Sequence, residues 1–508
     1  MEGACASRPF SLVRGQSVVI HTSMSTHTFL WHDYETFGAK PRLDRPAQFA
    51  AIRTDADLNE IGEPVMIYCR PAPDYLPDPE SCLITGITPQ LCLEKGLPEN
   101  EFADRIQAEM AQPGTIGVGY NTIRFDDEFT RYLFWRNLID PYAREWQNGC
   151  GRWDLLDVVR MTYALRPEGI AWPKKPDGRP SFKLEDLTRA NGISHEAAHD
   201  ALSDVRATIA MARLIRQHQP KLFDFAFALH KKDRVIAELG LPTEPGQAKP
   251  FLHVSGMFPP ERGCLGVMWP LASHPTNRNE LLAWDLAHDP AELAGLNAAQ
   301  LRERLFTRSV DLPEGVERLP IKSIHLNKSP MVVGNLRTLR PELAERWGLQ
   351  LEQAMVHAEK AAALPDMSAI WREVFERAAP AAPADVDQDL YGGFLEQADR
   401  RRLNHLRALD PAEPAWAQTG FDDERLPELV FRYRARNFPQ SLSPEETERW
   451  QAHCAARLME GEGEALTLER LFERIDTLAE QASERGDERA EMILGALYEY
   501  AESIAPGW

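Results

Sequence analysis

The spacing of apolar positions changes several times along this chain, and each change marks an element. T-F-L-W-H-D at 28–33, Q-F-A-A-I-R-T-D at 48–55 and P-V-M-I-Y-C at 64–69 are short runs of β-branched and aromatic residues. They predict three strands, the last two joined around Asp55–Asn59 by turn chemistry. Residues 100–112 and 126–137 carry apolar side chains at helical spacing. So does 201–218, where Val205, Ile209 and Leu214 recur among alanines. Residues 29–215 therefore read as an α/β unit. Inside it, P-E-G-I-A-W-P-K-K-P-D-G-R-P at 167–180 has four prolines and cannot form a regular element. It predicts an exposed loop carrying Trp172, Lys174, Lys175 and Arg179.

The pattern then shifts. L-P-T-E-P-G-Q-A-K-P at 241–250 marks a first boundary. Beyond it F-L-H-V-S, G-V-M-W-P-L, L-L-A-W-D-L and K-S-I-H-L-N predict a small, largely β domain with added helices up to about residue 345. R-A-A-P-A-A-P-A-D-V-D at 377–387 is rich in alanine and proline and predicts a second linker. Residues 390–503 are charged and rich in helix formers, which predicts an all-α domain. A chain of 508 residues is too long for one ordinary core, so two to three domains are expected.

Composition changes this picture little. Apolar residues make up 43% and charged residues 26%, as in globular proteins, and no apolar run is long enough to span a bilayer. Seven scattered cysteines without a C-x-x-C argue against a disulfide framework and a cysteine zinc site, and fit a reducing cytoplasm. Residues 1–28 lack the apolar core of a signal peptide. They are expected to be a disordered extension or a consequence of start-site choice, with Met24 an alternative start. The net charge of −20 disfavours loose, sequence-blind coating of a polyanion. Residues 441–508 supply half of it, with 16 acidic residues against 6 basic ones, which predicts a solvated acidic helical face. A local basic channel elsewhere stays compatible with that tail.

The chemistry lies in three clusters: H-D-Y-E-T-F-G with Asp33 and Glu35, G-Y-N-T-I-R-F-D-D-E with Asp126, and H-D-A-L-S-D with His199 and Asp204. Asp33 and Glu35 lie two apart on a predicted strand, so they share a face and Tyr34 takes the other. Two acids on one strand face without a lysine or arginine between them are costly unless cations bind. Phosphodiester hydrolysis needs a nucleophilic water at neutral pH and a stabilised leaving oxyanion, which two divalent ions about 3.5–4 Å apart supply. Hard ions such as Mg²⁺ take oxygen ligands, hence carboxylates. Taken singly, each cluster has a plain reading: solvated acids at a strand end, a helix-start acid favoured by the macrodipole, a surface histidine. At the second cluster Asp127 and Glu128 rival Asp126. His199 and Asp204 would be about 140° apart on one helix, so His199 is expected to precede the helix, as a base reaching the attacking water would.

H-E-A-A-H at 195–199 also matches the zinc metalloprotease signature, with His195 and His199 as ligands and Glu196 as base. Asn191–Gly192 interrupts the long helix that signature needs, no third ligand follows, and the four carboxylates would go unexplained.

D-Y-E, N-x-x-x-F-D and H-D-A-x-x-D together resemble the DEDDh class of 3′→5′ exonucleases. H-D-Y-E-T-F-G, L-I-T-G-I-T-P-Q, R-W-D-L-L-D-V, Y-A-L-R-P-E-G-I, H-V-S-G-M-F, N-K-S-P, T-L-R-P and F-R-Y-R-A-R-N-F-P are similar to the exonuclease I family in particular, from about residue 29 to the C-terminus. The resemblance implies a ribonuclease-H-like α/β exonuclease domain (29–218), a mainly β SH3-like domain (219–376) and an all-α C-terminal domain (377–508). It implies that Asp33, Glu35, Asp126 and Asp204 hold two Mg²⁺ ions (Mn²⁺ being an alternative), with Asp33 bridging. It makes His199 the general base of an enzyme that releases nucleoside 5′-monophosphates from single-stranded DNA. It also implies a monomer working in DNA repair and recombination, and a partner in the acidic, apolar tail of the single-stranded-DNA-binding protein. Lys183 stands at the family's basic substrate contact, without arginine's planar fork.

Lys183, Trp172, Arg166 and Arg434 are the candidate substrate contacts. Arg434 lies in F-R-Y-R-A-R-N-F, 431–438, which alternates arginines with aromatic rings. That run reads equally as a single-strand platform or as a buried helix with snorkelling arginines. An RNA-trimming exonuclease of the same class and a non-catalytic DNA-binding scaffold are the remaining alternatives.

Overall fold

The computed structural model describes residues 27–194, 200–242, 247–376 and 385–506. Strands β1 (Thr28–Thr36), β2 (Pro46–Thr54), β3 (Val65–Tyr68), β4 (Thr115–Gly119) and β5 (Gly151–Asp154) form one mixed sheet in the order β3-β2-β1-β4-β5. β1, β2 and β3 are antiparallel, with Asp33 opposite Ala50, whereas β4 and β5 run parallel to β1. The alternation along β1 sorts its side chains into two cores. Phe29 and Trp31 pack with Val118, Trp153, Val205 and Ile209, on the side of the helix Ala201–His218. Leu30 and Tyr34 pack with Phe49, Phe102, Ile106 and Leu133, on the side of the helices Glu99–Met110 and Asp126–Arg136. Asp33 and Glu35 continue the Phe29–Trp31 face to the open end of the strand.

The three predicted strands and the three predicted helices are present. Asp55 closes its turn by accepting the backbone N–H of Asp57 and Asn59. β4 and β5 are not anticipated by the pattern: T-I-G-V-G carries two glycines, and G-R-W-D is four residues without alternation. Gly119 is required where it stands, because a Cβ there would lie 2.6 Å from the His32 carbonyl oxygen.

The second sheet has the order β10-β6-β7-β8-β9, from β6 (Phe251–Val254), β7 (Leu265–Ser273), β8 (Glu280–Asp285), β9 (Ile321–His325) and β10 (Met331–Val333), all antiparallel. The remainder is helical. Helices Leu468–Arg485 and Glu488–Ile504 bury Leu471, Ile475, Leu494 and Leu497 against Phe37, Tyr75 and Cys82 of the first domain, and turn Glu469, Glu473 and Glu480 to solvent. Among the described residues no helix is long and apolar enough to cross a membrane.

The second linker is corrected at its end. Residues 377–384 lie outside the described residues, but Asp385 and Asp387 are 2% exposed and ion-paired. Asp385 meets Arg432 and Arg457 at 2.6 and 2.5 Å. Asp387 meets Arg436, which also holds Asp74 of the first domain at 2.8 Å. The C-terminal domain is thus fastened to the exonuclease-like domain by a buried ion network.

Candidate active site

Local folding brings the three clusters together. Asp33 and Glu35 stand on the last turns of the β1 pleat. Asp200 caps the helix Ala201–His218 by accepting the Ser203 N–H, which sets Asp204 in its first turn. Oxygens of Asp33, Glu35 and Asp204 all lie within 4.8 Å of one another. Asp126, 2% exposed, begins the helix Asp126–Arg136 from the opposite side of the sheet. It accepts the Tyr34 backbone N–H at 3.1 Å, between the two β1 acids.

The rivalry at the second cluster is resolved by what each acid faces. Asp127 turns away to Arg144 at 2.6 Å and Arg152 at 3.2 Å; against the upward push of burial, these guanidiniums hold it below the usual carboxylate range. Glu128 pairs with Arg131 at 2.7 Å. Asp126 is the member of this cluster whose charge raises Asp33.

The site is electrostatically unfinished. Burial, then Asp126 and Asp204, hold the Asp33 carboxyl well above its ordinary value. Burial, then Asp33, Asp204 and Asp200, push Glu35 up to about 9. Burial and Asp127 likewise raise Asp126. Among the described residues neither Asp33 nor Glu35 forms an ion pair. Hard oxygen donors gathered at this separation, each raising its neighbours, fit divalent cations.

A sign follows for stability. A carboxyl raised in the folded state stabilises it below the unfolded value, and that contribution is lost as pH rises through the folded value. The ion-free protein is expected to lose thermal stability from the ordinary carboxylate range up to about pH 9, the Glu35 value. Mg²⁺ should restore most at the upper end. Melting curves against pH, with chelator and with Mg²⁺, check this; superimposable profiles would contradict it.

Asp154 is a residue that sequence reasoning missed. The last residue of β5, it accepts the N–H of Asn121, Ile123 and Leu156 at 2.9, 3.2 and 3.0 Å. It thereby pins the loop that delivers Asp126, including Asn121 at φ 70°. Its only sequence signal is that of a helix cap in W-D-L-L-D.

The other candidates part company. His199 lies outside the described residues, as does all of H-E-A-A-H at 195–199; Asn191 and Gly192 do end the preceding helix, Leu184–Ala190. Lys183 is exposed at the cap of that helix, beside Glu185 at 3.3 Å. The neighbouring Phe182 carbonyl accepts from the Tyr120 hydroxyl, on the loop leading to Asp126. Trp172 is half-buried, donates to the Pro167 carbonyl at 2.8 Å and packs edge-on to Tyr163. Arg166 donates to the Thr338 carbonyl at 3.0 Å, across to the second sheet's domain.

Arg434 is a correction. It is 6% exposed and bonds Glu446 and the Ser441 carbonyl, each at 2.9 Å. Its helix, Leu426–Asn437, is covered along most of its length, and Arg432 and Arg436 serve the ion network. The arginines are structural, and they are held by acids, buried ones for Arg432 and Arg436 and the half-buried Glu446 for Arg434, rather than snorkelling to water.

Known proteins share this architecture. Residues 30–212 match an exonuclease family model, 230–377 the exonuclease I SH3-like domain and 384–504 the exonuclease I C-terminal domain. Exodeoxyribonuclease I of Escherichia coli (strain K12) is 46% identical over 479 residues, 94% of this chain and 98% of that protein. The structure of a moderately thermophilic exonuclease I from Methylocaldum szegediense superimposes with a TM-score of 0.88 at 50% identity, covering 94% of this chain and 99% of that one. That of E. coli exonuclease I with a dA16 oligonucleotide gives 0.86 at 45% identity, covering 94% and 100%. Similarity of this depth runs through all three domains, and the chain belongs to the exonuclease I family.

Proposed function

We infer that the protein is a divalent-ion-dependent exonuclease that removes nucleoside 5′-monophosphates one at a time from the 3′ end of single-stranded DNA, with Mg²⁺ as its ion. The observation that carries this is the convergence of Asp33, Glu35 and Asp204 at the open end of β1, with Asp126 beside them. The E. coli relative holds an oligonucleotide in its structure, and another structure is described as the zinc-bound form of the E. coli exonuclease I–single-stranded-DNA complex. Two ions, when bound, would supply a nucleophilic hydroxide at neutral pH and shield the leaving oxyanion.

The chain's residues do the rest. Asp33, on which the charges of both Asp126 and Asp204 act, would be the ligand common to the two ions. The Tyr34 N–H orients Asp126, which would be a further ligand of the ions. Lys183 offers an exposed ammonium to a phosphate of the strand. His199, by family resemblance, takes the proton of the attacking water. The same family ground supports a role in DNA repair and recombination. One relative, 43% identical with a TM-score of 0.85, is described as an SSB/exonuclease I complex, and we extend that partner to this chain.

The test compares 5′-labelled DNA and RNA oligonucleotides, with free or blocked 3′ ends, in Mg²⁺ and in chelator. Stepwise shortening of DNA from a free 3′ end, stopped by chelator, is expected. Faster loss of RNA would favour the RNA-trimming reading instead.

A further inference from the structure

Asp154 is not the only residue of β5 that bears on the carboxylates. Alternate residues of a strand share a face, so Arg152 stands on the same side of the sheet as Asp154, while Trp153 packs into the core on the other. Arg152 is buried and sits opposite Gly117 of β4. Its guanidinium meets Asp127 at 3.2 Å and Glu145 at 3.3 Å, and donates to the Asn327 carbonyl at 3.5 Å. Its own carbonyl accepts the Ser329 hydroxyl at 3.2 Å. Asn327 and Ser329 belong to N-K-S-P, the loop between β9 and β10 of the SH3-like domain. Ser329 is enclosed and adopts a φ of 47°, a backbone conformation uncommon for serine.

Asp126 and Asp127 are neighbours in the first turn of one helix, so their side chains leave it about 100° apart. Whatever fixes Asp127 therefore fixes the rotation of the helix start, and with it the direction of Asp126. Two guanidiniums grip Asp127. Arg144 holds it at 2.6 Å, and its Nε and Nη1 reach no further hydrogen-bond partner among the described residues. Arg152 continues outward. It meets Glu145, which Arg131 of the same helix holds at 2.7 Å, and it meets the SH3-like domain. Contacts thus run from Asp127, beside a candidate ion ligand, through Arg152 to Ser329 of a separate domain. All of these residues are buried, so none can trade its partner for water.

We propose that Arg152 is a positioning residue for Asp126, and that through it the SH3-like domain helps to set the geometry of the carboxylate site. The inference rests on the proposed function and deepens it, by naming what holds one of the ligands in place. Residues behind a metal ligand govern its orientation, and removing one of their contacts typically costs 10–100-fold in metal affinity or activity. Arg152 is enclosed and bonds Asp127 rather than Asp126, so it acts on the reaction only through that neighbour.

The test titrates Mn²⁺ into the full chain by calorimetry, for the unaltered protein and for Arg152→Lys, Ser329→Ala and Arg434→Ala, each below its melting temperature. Arg152→Lys keeps a buried cation beside Asp127 and Glu145 but loses the fork that reaches several partners at once. It is expected to weaken Mn²⁺ binding about tenfold. Ser329→Ala removes one hydroxyl on the other domain and should weaken it about threefold. Arg434→Ala takes away the partner of Glu446 in the C-terminal domain, and should lower the melting temperature with Mn²⁺ affinity unmoved. On a single-stranded oligonucleotide in Mg²⁺, Arg152→Lys should lower kcat about tenfold and leave KM within about twofold. Unchanged Mn²⁺ affinity in Arg152→Lys would overturn the proposal. So would an affinity that falls in step with melting temperature in all three variants, or a raised KM with kcat unmoved. An effect of Arg152→Lys with none of Ser329→Ala would overturn the link to the SH3-like domain. If the unaltered chain binds no Mn²⁺, the proposed function itself fails, and that result is separate from the variants' behaviour.

Discussion

Asp33→Ala is expected to lower the rate of DNA hydrolysis at least about a thousandfold while leaving oligonucleotide binding close to that of the unaltered protein. Asp33 is the carboxylate on which the charges of both Asp204 and Asp126 act, so in the proposed site its loss would remove the shared ligand rather than one of several equivalent ones. Stability moves the other way. In the ion-free protein burial and the acids on either side disfavour the charged form of Asp33, so Asp33→Asn, which keeps the shape and cannot ionise, should raise the ion-free melting temperature at neutral pH. Single-turnover kinetics with saturating enzyme, paired with melts in chelator, read both effects. A variant that hydrolyses DNA at near-normal rates would remove Asp33 from the chemistry.

The second large effect is at the domain junction. Arg436→Ala should destabilise the protein by about 3–5 kcal/mol, because it strands two buried carboxylates at once. Asp74 and Asp387 are fully enclosed, and Arg436 contacts both. Burial pushes these acids up, but Arg436 and its neighbouring arginines hold both below the ordinary carboxylate range. A depressed carboxyl contributes stability above its unfolded value and loses it as pH falls through the folded one. The unaltered protein should therefore weaken in acid, and the variant less steeply. Urea denaturation against pH, followed by tryptophan fluorescence, measures this. A loss below about 1 kcal/mol would place the pair among weak surface bridges.

These residues also show what the sequence can and cannot say. β1 and the helix Ala201–His218 were legible because each has one period over a whole element, and the face shared by Asp33 and Glu35 follows from the first of them. The set of four carboxylates came from family motifs. Alone, D-x-E or a helix-start acid carries little. By residue chemistry alone the choice of Asp126 over Asp127 was not legible, since both sit in the first turn of one helix. It is made by Arg144 and Arg152, 17 and 25 residues away from Asp127, which the fold brings to one of them. Arg434 misleads for the same reason. An arginine between aromatic residues looks the same whether it meets phosphate or Glu446, and its acid lies on another helix. Every residue of β4 and β5 is buried, on both faces of the sheet, so they have no polar face to alternate with.

The account turns on cations gripped by the carboxylates at the end of β1, and anomalous diffraction from crystals soaked in Mn²⁺ locates them most directly. Two peaks are expected, bounded by Asp33, Glu35, Asp126 and Asp204 and both lost in Asp33→Ala. Ordered metal at His195 and His199 instead, with nothing between the carboxylates, would contradict it.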